Sequence, residues 1–199
     1  MKIRILALAG AFVTAAACAG GPVGMAEPAP AAAPVAAGDA AESHPLAFLF
    51  GEWIGTAKGI GPDQQPYEVI QTERVGPMLD GAVTVIEGRG YGADGTLYFS
   101  AFAAVSRNNH TGSWEMRSYS GGNAGTFPFE PTETGFRWST PAGPGARIVY
   151  TATVADGVWD QIGEYTPEGG EPLQVFEMNL TRTGDTDWPA AGYVAPPAQ

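Results

Sequence analysis

Cysteine is almost missing from this chain, with Cys18 the only one in 199 residues. A folded domain with no second thiol has neither disulfides nor thiolate metal sites, so its stability must come from burial. Histidine is nearly as scarce, with only His44 and His110, and that leaves a conventional zinc site short of ligands. Basic residues number 10 against 21 acidic ones, for a formal net charge of -11. Such a chain is repelled by nucleic acid and by anionic headgroups, which argues against both as partners of its surface. Also lacking are a sustained 3.6-residue period, an internal repeat and a Gly-x-Ser-x-Gly nucleophile elbow.

The ends of the chain are distinct from its middle. Residues 1–17 place Lys2 and Arg4 ahead of an apolar run that closes on small residues, the layout of a secretory signal. The run is too short for a membrane-spanning helix, which needs about 20 apolar residues. Cys18 follows Ala15, Ala16 and Ala17 at the expected cleavage point, which predicts lipidation there and a periplasm-facing lipoprotein. Cleavage by the ordinary peptidase would instead give a secreted or periplasmic soluble protein. Loss of residues 1–17 removes two positive charges, taking the net charge from -11 to -13. Residues 18–43 are rich in Ala, Pro and Gly with little to bury and read as a disordered tether. Residues 185–199 read as a Pro-rich tail, whose Asp185 and Asp187 lack the loop of a calcium site.

Between them, residues 44–184 are long enough for one core. Apolar residues there alternate with polar ones in short runs, at 52–60, 67–75, 82–90, 97–107, 113–120, 126–130, 135–140, 147–155, 158–166 and 173–182. Asp94-Gly95, Asn108-Asn109, Asp156-Gly157 and Gly169-Gly170 separate them with residues that accept positive φ. A short helical turn is expected around residues 45–50. The pattern predicts an all-β, single antiparallel up-and-down meander barrel of about ten strands. Barrels of that size are filled by side chains or hold one small ligand. The glycine-rich run 87–95 precedes a strand rather than a helix, so it reads as a long hairpin and not a phosphate loop.

The opening FLFGEWIGTAKG, residues 48–59, resembles the Gly-x-Trp start of the calycin barrels, the lipocalin and fatty-acid-binding group. With IQTERVGPMLDG and the closing VFEMNLTR, it looks like a bacterial family of lipocalin-like barrels, the DUF1579 type. The resemblance implies that Trp53 closes one end of the barrel beneath Arg182, through a cation–π contact. The haem-binding branch of such barrels, the nitrobindins, holds iron through a histidine near the chain end. Neither His44 nor His110 matches that position, so no cofactor and no metal is expected.

Trp53, Phe99, Trp114, Trp138, Trp159 and Phe176 are candidates for the barrel interior or a ligand pocket, either as core filling or as lining. Glu73, Arg74, Arg107, Glu115, Arg117, Arg137, Glu164 and Glu177 lie within strands and are expected mostly outside. The alternation of Glu177 with Phe176 and Met178 points it outward. No catalytic motif is present. The expected function is the binding of a small apolar or amphipathic molecule in the interior, with membrane attachment only through an N-terminal lipid. The alternatives are an enzyme using an inward carboxylate and arginine, or a filled-barrel interaction protein of the cell envelope.

Overall fold

The computed structural model describes residues 44–61 and 63–188. Within them the chain makes a 3₁₀ turn, Ala47–Leu49, and then ten strands. These are β1 (Gly51–Ile60), β2 (Pro66–Met78), β3 (Val83–Tyr91), β4 (Leu97–Arg107), β5 (Trp114–Ser120), β6 (Asn123–Pro131), β7 (Gly135–Pro141), β8 (Arg147–Ala155), β9 (Val158–Thr166) and β10 (Leu173–Gly184). Each pairs antiparallel with its neighbour in sequence, and β1 pairs with β10, so the sheet closes into a barrel. Closure leaves no strand edge exposed to another chain.

The turns explain where sequence and structure part. Asp156 and Gly157 take φ values of 53° and 75°, the two-residue hairpin their identities favour. Asn108-Asn109 is different: the connection runs on to Gly112, which carries the positive φ, and the Asn108 side chain accepts from the His110 and Thr111 amides. β6 begins at Asn123 rather than 126 because Gly121 and Gly122 form a tight turn, both with positive φ. The run 87–95 is the end of β3 and its turn into β4.

Residues paired in register share a face, so the inward set can be followed around the barrel. It includes Trp53 on β1, Glu73 on β2, Gly88 on β3 and Ala101 on β4. Two halves result. At the end where β1 begins, Leu46 and Leu49 of the entering turn are fully buried and plug the opening. Beneath them lie Trp53, Val75, Val105, Phe129, Phe136, Trp159 and Leu180, all at most 3% exposed. Each large side chain buried here contributes roughly 1.5–3 kcal/mol. His44 packs its ring at 5.4 Å from Phe50 and 6.3 Å from Trp114. Burial holds its imidazole below the ordinary value, partly offset by a hydrogen bond with the Gly81 backbone.

The first residues of the expected solvated tail are anchored. Asp187 pairs with Arg74 at 2.9 Å, and the Arg74 guanidinium lies 5.7 Å from the Trp188 ring centroid. Trp188 and Thr186 lie close against Gly76, where a side chain would meet them.

Candidate functional site

In the opposite half of the barrel the inward side chains are less deeply buried. Phe127, Trp138, Tyr150 and Phe176 point inward yet are only partly buried, and Phe99 at the mouth is 45% exposed. The first four form a continuous wall. Trp138 stacks on Tyr150 at 4.2 Å and 7°, Phe127 tilts against Trp138 at 5.9 Å, and Phe176 meets Tyr150 edge-on at 5.6 Å. Glycines make room for this packing: a Cβ at Gly163 would lie 2.8 Å from the Tyr150 ring, and one at Gly59 would lie 3.0 Å from the Tyr67 hydroxyl. Burial pushes the Tyr150 phenol up to about 12, with Tyr67 nearby adding to it.

Across the lumen from Trp138, five strands away in a ring of ten, β2 presents Gln71 and Glu73. The Gln71 amide donates to Glu73 Oε1 at 2.7 Å. The Glu73 carboxylate rests on Gly88, where a Cβ would come within 2.6 Å of it. Burial raises its pKa to about 7; the Gln71 hydrogen bond opposes this and the charge of Glu87 adds to it. The side chain is not fully sealed, since Glu73 keeps partial accessibility between the fully buried Val75 and the 5%-exposed Gln71. On β9, Gln161 also points inward at 8% exposure, and its side-chain amide has no hydrogen bond among the described residues.

The remaining strand charges lie elsewhere. Arg74 bonds Glu52 at 2.9 Å outside the barrel, and Glu177 faces outward to Lys58 at 3.3 Å. Glu115, Arg117, Arg137 and Glu164 occupy outward positions. Arg107 sits at the plugged end, with its Nε donating to the Gly112 carbonyl. Among the described residues, therefore, no arginine bonds the Glu73 carboxylate, the one inward carboxylate of the group. A cleft of about 440 Å³ opens at the rim beside β1, β2 and β10, where Gly59, Tyr67 and Phe176 meet Lys58 and Glu177. A second, about 540 Å³, runs along β1, β2 and β3, where Trp53 and Glu73 line it together with the paired charges Arg74 with Glu52 and Arg89 with Glu87.

All six aromatic candidates stand on inward positions, divided between the halves. Trp53, Trp114 and Trp159 belong to the plugged end, and Trp138, Phe176 and Phe99 to the open one. Trp53 and Arg182 are register partners on β1 and β10, but their contact differs from the expected cation–π pair. The guanidinium donates to the Phe50 carbonyl from Nε at 3.3 Å and Nη2 at 3.1 Å, and to Asp185 at 2.5 Å. The Trp53 indole N–H donates to the Leu49 carbonyl at 2.9 Å, and its ring meets Trp159 edge-on at 5.7 Å. Gly51 decides this: with φ 146° and no side chain, it admits the Arg182 guanidinium beside the backbone, where a Cβ would lie 2.7 Å from Nε. Cys18 lies outside the described residues.

A closed ten-stranded meander, plugged at one end by the entering turn, defines the class as a single-chain, up-and-down antiparallel β-barrel. Among solved structures the chain is similar to Rv2717c from M. tuberculosis, a crystal structure matched at a TM-score of 0.53 and 12% identity over 72% of this chain and 97% of that one. At that identity the likeness shows a shared barrel fold. No family model and no curated protein matches the chain.

Proposed function

We propose that the barrel is a lipocalin-like carrier of the DUF1579 type that holds a small apolar or amphipathic molecule in the open half of its lumen. The observation that carries this reading is the incompletely buried inward aromatic wall, Phe127, Trp138, Tyr150 and Phe176, with Gln161 set within it on β9 and the inward polar pair Gln71 and Glu73 on β2. An apolar surface with a few placed polar groups is the usual make-up of a small-molecule site. Native mass spectrometry of the purified protein, with titration of the neutral dye N-phenyl-1-naphthylamine, tests it. A retained molecule or saturable dye binding is expected; neither appearing removes the reading. Export and lipidation at Cys18 belong to the same proposal, and acyl incorporation in cells, lost in Cys18→Ala, is the measurement for them.

One observation favours an enzyme as a second reading: an inward carboxyl poised near neutrality has the proton affinity of a general base or acid. The arginine expected beside it is not there, so Glu73 would act with Gln71 alone. A retained molecule that is chemically altered by the wild type but recovered intact from Glu73→Gln would establish this alternative.

A further inference from the structure

Resting on the lumen reading, the geometry points to a ligand class: we infer that the lumen selects amphiphiles whose single polar group is a positively charged nitrogen. The inward carboxylate is Glu73, and its hydrogen-bond partner is the neutral amide of Gln71. No cation of the protein reaches the open half among the described residues. Lys58, Arg74, Arg89, Arg117, Arg137 and Arg147 occupy outward strand positions. Arg107 and Arg182 lie at the plugged end on the backbone carbonyls of Gly112 and Phe50. His44 is held there too, against Phe50 and Trp114, and His110 is exposed in a turn.

Among the described residues the lumen thus has an acid without a bonded counter-charge on β2 and ring surfaces on β6, β7, β8 and β10, with Trp138 of β7 directly across the ring from it. Carboxylate on one side and aromatic faces on the other are the two elements that bind an organic ammonium: the first by charge, the second by the ring quadrupole. Gln161 adds an amide oxygen with no donor among the described residues, able to accept from an N–H. A fatty carboxylate meets the opposite situation, because it would bring a second negative charge beside Glu73 in a poorly solvated space. An alcohol of the same chain length gains neither effect.

The test is displacement of N-phenyl-1-naphthylamine from the wild-type protein by dodecyltrimethylammonium, dodecanol and dodecanoate. All are kept below micelle formation, at a pH of about 8 and about 0.15 M salt. The ammonium is expected to bind at least about tenfold tighter than the alcohol, and the carboxylate weakest of the three. In Glu73→Gln, and in Glu73→Met as a second neutral variant, the ammonium should fall to within about threefold of the alcohol, whose own affinity is unchanged. Glu115→Gln, which removes an exposed outer charge, should change none of them and so separates the site from the general attraction of an acidic protein. If the alcohol binds but the ammonium gains nothing over it, or keeps its preference without Glu73, the headgroup inference is overturned while the lumen reading stands. If the dye and all three chains fail to bind, both fall.

Discussion

Phe129 and Phe127 sit two residues apart on the same inward face of β6, and their surroundings divide the molecule. Phe129 is 2% exposed, stacked on Phe136 at 5.1 Å within the plug of leucines and tryptophans. Phe127 keeps accessible surface and tilts against the Trp138 ring of the neighbouring strand. One strand thus serves both as core and as lining. The difference follows from what the two ends receive: the 3₁₀ turn delivers Leu46 and Leu49 into one, whereas glycines at 59, 88 and 163 thin the wall of the other. A barrel divided this way concentrates its stability at one end and keeps the other for recognition.

Truncation of the two phenylalanines breaks the comparison most directly. Phe129→Ala is expected to cost about 3–5 kcal/mol, measured by urea or thermal unfolding, as for other large core truncations. Phe127→Ala, already partly solvated, should cost about 1–2 kcal/mol by the area it leaves buried. Equal losses would mean that the open half is packed as tightly as the plug.

Next in size is the pH response of Glu73. Its carboxyl is raised from 4.5 to about 7 in the folded protein, so the native state holds a proton that the unfolded chain has released. The associated stability is fully present below about 4.5 and is lost as pH rises towards 7, a change of the order of 3 kcal/mol that lumen water would reduce. Glu73→Gln should therefore be more stable than the wild type at a pH of about 8 and should lose that part of the slope between about 4.5 and 7, read from denaturation midpoints. An unchanged slope would mean that the carboxyl is well hydrated. Glu87 contributes to the effect from outside the wall, and Gln71 works against it.

Two smaller changes sharpen the picture of the plug. Trp53→Phe removes the donor to the Leu49 carbonyl and should cost about 1–2 kcal/mol, with no effect on dye binding in the other half. The Thr84 hydroxyl is buried with no partner among the described residues, so Thr84→Val should be neutral or stabilise by up to about 1 kcal/mol.

Much of the barrel was legible in the sequence because period-two alternation survives wherever one face meets a lumen and the other meets water. The ten runs lie close to the ten strands, and the largest shifts are at the end of β2, which runs on from 75 to Met78, and at the start of β6, where 121–125 read as a loop. The polar part of the site was harder. On β2 the inward series Tyr67, Val69, Gln71, Glu73, Val75 and the outward series Glu68, Ile70, Thr72, Arg74 each mix apolar with charged residues, so alternation cannot say which way Glu73 faces. The deciding fact is the register that sets Glu73 against Trp53 on one side and Gly88 on the other. Arg182 was assigned to its register partner, but its guanidinium went to a backbone carbonyl. An exposed planar cation with five N–H donors gains more from a bare carbonyl and a carboxylate than from the face of an indole already buried against Trp159.

An even number of strands in up-and-down order returns the chain to the side it entered. Residue 44 lies beside the plug, and Trp188 lies against Gly76 near the same end of β2. The chain therefore enters and leaves the described barrel at its sealed base, and the mouth looks away from both points, as a cup does from its stem.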